Sequence, residues 1–168
     1  ADEGAMSLLL KSAEQVIKEL EVARHAEGVS LASMLGELVD EMSALTGSAI
    51  SLAADQPALL KARLSKQLEE LGAEQKIDPD RLAAELALTA AKADVREELD
   101  RLQAHFQSAR VLLSSGSPVG RKLDFLAQEL NREANTLCSK SISLDLTNAG
   151  LSLKGTIDQF KEQAANVE

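Results

Sequence analysis

The sequence predicts an all-α protein of long antiparallel helical hairpins, a coiled-coil-like bundle, on three observations. Leu, Ala and Glu, with Lys and Gln among the polar residues, make up much of a chain of 168 residues with three prolines and neither Trp nor Tyr, a mix that favours helix over sheet. Apolar residues recur at alternating steps of four and three along most of the chain, the spacing of a helix that buries one stripe. Breaking residues are few and clustered, so connections are short and neighbouring helices run antiparallel. The length suits one helical domain over residues 1–168.

Taken in order, Leu9, Ala13, Val16, Leu20 and Ala23 predict a first helix from about Ser7 to His25 that buries this stripe. Gly28 then marks a bend or a close contact, before Leu31, Met34, Leu35, Leu38, Met42 and Leu45 resume the same spacing. Pro57 fits the first turn of a new helix or a kink, with a run from Leu59 to Leu71 that Gly72 ends. Asp78 and Pro79 read as an N-cap with proline at the first helical position, opening one long helix through Leu113. Its seam is Val95, Leu99, Leu102, Phe106, Ala109 and Leu113, and Ser114, Ser115, Gly116, Ser117 and Pro118 break it. The next helix, about Val119 to Ser139, puts Val119, Leu123, Leu126, Ala127, Leu130, Ala134 and Leu137 on one face. A last helix, about Thr147 to Asn166, does so with Leu153, Ile157, Phe160, Ala164 and Val167.

Composition excludes several classes. No apolar run approaches the roughly 20 residues of a membrane span, although 45% of the chain is hydrophobic. The opening ADEGAMSLLL is acidic and lacks the basic start and cleavage pattern of a secretory signal. It also lacks an initiator methionine, so an N-terminal portion of the parent is expected to precede it. Cys138 has no second cysteine to pair with, so a reducing cytoplasm is the expected compartment. A net charge of −9 opposes polyanions overall. The charge is uneven, since residues 117–140 carry +1 and the remainder −10.

Walker, dinucleotide-glycine, CxxC, HExxH and GxSxG motifs are absent. Two helical surfaces still carry polar side chains in pattern. In ADVREELDRLQAHF, Asp94, Glu98, Arg101 and His105 share one flank beside the seam. Asp94 with Glu98 can hold a hard divalent cation through oxygen, and His105 can move a proton; a salt-bridged helix face is the plainer reading. In PVGRKLDFLAQELNREANTLCSKS, Asp124, Gln128, Asn131 and Asn135 form one stripe, with Arg121 and Arg132 just beyond it. Amides can read RNA sugars and base edges, and arginine forks suit phosphate. The competing reading is an interhelical polar seam that sets register. Glu129 and Glu133 lie opposite the apolar seam of the same helix, where solvated charge is the expectation from spacing. Cys138, near the apolar face, reads as a small buried thiol rather than a nucleophile. With three phenylalanines as the whole aromatic complement, shape and backbone contacts should outweigh base stacking. Phe125 alone lies near the expected RNA face.

The stretch PVGRKLDFLAQELNREANTLCSKSISLDLTN resembles the C-terminal signature of YicC-like proteins, REELDRLQAH resembles the family's other marked segment, and ARHAEGVSL its entry into the long helices. The resemblance implies an endoribonuclease dependent on a divalent cation, Mn or Mg. It also implies an N-terminal domain ahead of this helical part and a ring-like homo-oligomer, a hexamer in the intact protein, around RNA. Two departures from that pattern stand out: the sequence as read lacks that N-terminal domain, and Cys138 replaces a small alanine-like residue. Carried over position by position, the motif makes Glu98, Arg101, His105 and Glu129 catalytic candidates, with Asp94, Glu98 and Glu133 for the metal. Arg121, Lys122, Gln128, Asn131, Arg132, Asn135 and Lys140 are the RNA-binding candidates. Asp124 belongs to the same motif.

Two functions follow. One is metal-dependent RNA cleavage, by an activated water or by deprotonation of the ribose 2′-hydroxyl. The other is a non-catalytic helical scaffold for oligomerisation or partner docking. RNA and further copies of the chain are the expected partners, with neither membrane nor DNA.

Overall fold

A computed structural model describes residues 3–70, 78–116 and 118–167. The order is α1 (Glu3–Ala53), α2 (Gln56–Glu70), α3 (Pro79–Lys92), α4 (Arg96–Ser115), α5 (Gly120–Lys140) and α6 (Leu144–Ala164), with no strand among the described residues. The second half of α1 packs on α4 and α6, and α5 closes the ring by packing on the same two, which makes a four-helix bundle. Arg110 Nη2 reaches Asp40 Oδ1 at 2.8 Å, and Thr156 Oγ1 donates to Glu41 Oε1 at 3.1 Å, so α1 runs antiparallel to both α4 and α6. α2 and α3 pack weakly on each other outside this ring. No helix of the described residues is long and apolar enough to cross a membrane.

The bundle core follows the expected seams. Leu99, Leu102, Phe106 and Ala109 of α4 meet Leu123, Leu126, Ala127, Leu130, Ala134 and Leu137 of α5, and Leu153, Ile157, Phe160 and Ala164 of α6. From α1 come Leu35, Val39, Met42 and Ala49, so the buried stripe is turned slightly from the expected one and leaves Met34 exposed. Asp78 caps α3 as expected, its Oδ1 accepting from the Asp80 N–H at 3.0 Å. α6 begins three residues before the expected Thr147 because the Ser143 hydroxyl accepts from the Leu146 N–H at 3.2 Å.

Three expectations are corrected. α1 is one unbroken helix through Gly28, and open space surrounds the Cβ position there, so Gly28 neither ends the helix nor admits a neighbour. The stripe expected to be buried near the N-terminus lies in the open: Leu9, Val16 and Leu20 are 66%, 60% and 55% exposed. The cause is reach, because α4 and α6, at roughly 1.5 Å per residue, cover only the later half of a helix of 51 residues. The single helix from Asp78 through Leu113 is broken at residues 93–95. The carbonyls freed by that break are recovered from afar: Gln56 Nε2 donates to Ala93 O at 2.7 Å and Lys140 Nζ to Asp94 O at 3.1 Å. Gln56 also accepts from the Ile142 N–H at 2.8 Å, so one buried amide ties the start of α2 to two interhelical links. The expected stops at Gly72 and Ser117 lie outside the described residues.

α5 and α6 come into close contact where Gly150 faces Cys138. A Cβ on Gly150 would stand 2.5 Å from Cys138 Sγ, with every other neighbour beyond 3.7 Å. Gly150→Ala is therefore expected to destabilise by about 1–3 kcal/mol through overpacking, and Cys138→Ala in the same chain to recover most of that loss. Urea denaturation of the single and double variants checks this; independent, additive effects would contradict the contact.

Candidate functional site

α4 and α5, antiparallel across a short link, form a groove with an ordered set of polar side chains along it. Glu129 and Glu133 stand one turn apart on α5, and His105 faces them from α4. The ligand-capable atoms of the three all lie within 4.8 Å of one another. Glu133 is 4% exposed, and His105 and Glu129 are half-buried. The expectation of solvated charge at Glu129 and Glu133 is thus overturned, because the face opposite the α5–α6 contact is covered by α4 instead of water.

Guanidinium groups flank these carboxylates. Arg101 Nη1 lies 3.3 Å from Glu133 Oε1, while its other nitrogen donates to Glu97. The first of these contacts, with Glu133, chiefly raises the pKa of Arg101. Arg132, 72% exposed in its side chain, lies 3.4 Å from Glu129 Oε1. Both contacts are longer than a charge-assisted bond of about 2.8 Å, so neither carboxylate is saturated by its arginine.

Two turns along α4, Glu98 Oε1 accepts from Lys140 Nζ at 2.7 Å, and buried Glu98 Oε2 has no hydrogen-bond partner. Lys140 is therefore committed to Glu98 and to the Asp94 carbonyl. Asp94 lies in the link before α4, not on the helix, so it does not form the expected i, i+4 pair with Glu98. Its carboxylate is engaged with Arg96. Hydrogen bonds from the Arg96 side chain, then from the Arg96 backbone N–H, hold its pKa at about 2, below the usual carboxylate range. The metal and catalytic candidates are thus regrouped: His105, Glu129 and Glu133 come together, Glu98 sits apart with Lys140, and Asp94 is turned to Arg96.

One member of the amide stripe, Asn131, reaches α6. Gln128 donates to Asp124 Oδ2 at 2.9 Å, Asn135 to Asn131 Oδ1 at 2.9 Å, and Asn131 to Asp158 Oδ1 at 3.1 Å. Asn131 thus serves the interhelical contact, while Gln128, Asn135, Arg121, Lys122 and Arg132 are exposed. The arginines and most of the amides are not sealed in a seam. Cys138 is half-buried, and desolvation pushes its thiol pKa up, which fits a packing role. Gln56, Glu97 and Asp158 also belong to these contacts, and no local pattern marks them apart from the Gln56-Pro57 pair at a helix start.

The family profile "Endoribonuclease YicC-like, C-terminal" matches residues 50–168, which contain the whole α4–α5 groove. The chain belongs to the YicC-like family. It is 39% identical over 163 residues to "Probable endoribonuclease YicC" of Haemophilus influenzae, a match covering 95% of this chain and 55% of that protein. It is 31% identical over 169 residues to "Probable endoribonuclease YicC" of Clostridioides difficile, covering 96% and 56% respectively. This YicC-like chain therefore spans about half the length of the curated relatives it matches.

Proposed function

We propose that this YicC-like chain carries the RNA-cleaving site of a divalent-metal-dependent endoribonuclease, with His105, Glu129 and Glu133 holding the cation. The observation that carries the reading is the convergence of these three donors from two helices, beside an exposed arginine. One imidazole nitrogen with two carboxylates suits Mn or Mg among the divalent cations, and the burial of Glu133 fits a site in which a cation offsets the charge.

A cation bound there would stabilise charge on the scissile phosphate and acidify a bound water. The side chains do the rest. Arg132, beside Glu129 and open to solvent, offers a planar fork for a phosphate oxygen pair. Arg121 and Lys122 extend the positive edge along α5. His105 can bind through one nitrogen and keep a proton on the other, which orients its ring. Lys140 shields Glu98 and braces the link before α4 more than it grips RNA. Relatives named as endoribonucleases support the substrate class.

Self-association belongs to the same reading. Leu9, Val16 and Leu20 form an open apolar stripe on α1 that a second copy would cover. A lone Cys138 fits a reducing cytoplasm. The second reading, a non-catalytic scaffold, is favoured by the same stripe and by the net charge of −9.

Titration calorimetry with Mn, RNA cleavage with Mn or Mg and then with chelator, and sedimentation of the chain test the proposal together. Saturable Mn binding and chelator-sensitive cleavage are expected. Absence of both, with oligomers present, would leave the scaffold. Cyclic phosphate or simple monoester ends on the products separate attack by the 2′-hydroxyl from attack by water.

A further inference from the structure

The α4–α5 groove does not stop at Glu129. One turn nearer the start of α5 stands Phe125, about 6 Å along the axis, with Arg121 a further turn away. Phe106 and Phe160 are buried in the core, whereas Phe125 is 63% exposed. Val111, on the facing side of the groove in α4, is 65% exposed. Together with Leu112 and Leu126 they line an apolar hollow of about 630 Å³ whose rim carries Arg121 and Lys122. The side chains of these two cations make no hydrogen bond or ion pair among the described residues, in contrast to Arg96, Arg101, Arg110 and Arg132.

A flat aromatic face open to water beside two unengaged cations is a poor solution for solubility alone in a chain of net charge −9. It matches a ligand with a flat apolar face and an anion one bond system away. A nucleotide has both: the base can lie on the Phe125 ring while its phosphate meets Arg121 or Lys122.

We propose that Phe125 is a stacking platform for one unpaired nucleotide of the RNA, next to the His105–Glu129–Glu133 site. This rests on the RNA-cleaving reading and narrows its substrate class. Within a duplex each base face is covered by its neighbours, so only a loop, bulge or single-stranded end can present a base to this ring. Cleavage would then fall beside an unpaired residue. With Phe125 the one exposed aromatic, a single base is stacked, and the rest of the strand is held through its backbone.

The chain has no tryptophan, so Phe125→Trp puts a sole indole fluorophore in the hollow. Short oligoadenylate is expected to quench this emission, and a blunt RNA duplex to leave it unchanged. In parallel, Phe125→Ala should weaken binding of fluorescein-labelled oligoadenylate about tenfold to a hundredfold, leave duplex affinity as it was, and keep wild-type helicity by circular dichroism. Wild-type-like affinity in Phe125→Ala, or equal loss for both RNAs, overturns the platform while leaving RNA binding in place. If Phe125→Ala instead shifts the sedimentation coefficient, the hollow is covered by a second copy and the platform is overturned. No RNA binding by the unaltered chain overturns both this inference and the reading beneath it.

Discussion

Glu133→Gln is expected to abolish the proposed cation binding and RNA cleavage together while leaving the bundle about as stable as before. The carboxylate is 4% exposed, and taking an ion out of water has a cost that its partner must offset. Here the partner is Arg101, at 3.3 Å and half in solvent. Removing one member of a buried pair is costly when it strands the other charge out of water, and Arg101, 55% exposed in its side chain, is not stranded. Arg101 keeps Glu97 as a partner, so no stranded cation results. Function responds differently, since a neutral amide is a poor ligand for a hard cation. Removing even an outer-shell partner lowers metal affinity about 10–100-fold, and a direct ligand should exceed that. The check is Mn calorimetry and cleavage rate beside a thermal melt of the same variant. A lower Tm with cation binding and cleavage unchanged would make Glu133 a packing residue and return the groove to the scaffold reading.

Phe106→Ala gives the opposite pattern. Phe106 follows His105 on α4 but points into the core, where it is fully buried among Leu102, Ala109, Leu123 and Leu130 in one continuous cluster. Truncating a buried phenylalanine costs about 3–5 kcal/mol, partly in transfer free energy and partly in the cavity left behind. For a domain of this size each kcal/mol lowers Tm by roughly 2–4 °C, so a drop of roughly 6–20 °C is expected. Cleavage per folded molecule below the melt should persist in reduced measure, because His105 itself remains. A melt within about 2 °C of wild type would show that α4 is not held by this contact. Adjacent residues on one helix thus separate chemistry from packing.

Much of this architecture could be read locally. The Asp78-Pro79 start of α3, the break around Gly116 and Pro118, and the apolar faces of α5 and α6 all rest on interactions within a turn or two. The family signature supplied His105, Glu129 and Glu133 as candidates one by one. Their grouping was not legible. Spacing paired Asp94 with Glu98 on an imagined continuous helix, and the pair dissolves because that helix ends at Lys92. The compensating donors, Gln56 and Lys140, lie 37 and 46 residues from the carbonyls they satisfy. No local pattern announces such a partner. Glu129 and Glu133 looked solvated for a similar reason, since one helix reports its own faces but not which neighbour covers them.

The chain alone determined its helical class, the Asp78 cap of α3, the break between α4 and α5, the seams of α4 to α6 and the kinds of side chain available for chemistry. These follow from backbone propensity and 3.6-residue periodicity, which act over a few residues. The tertiary structure decided that α1 buries one half and exposes the other, that α3 and α4 are separate, and that an imidazole and two carboxylates from different helices share one groove. Each of those outcomes depends on which helices lie side by side, a matter of contacts far apart in the chain.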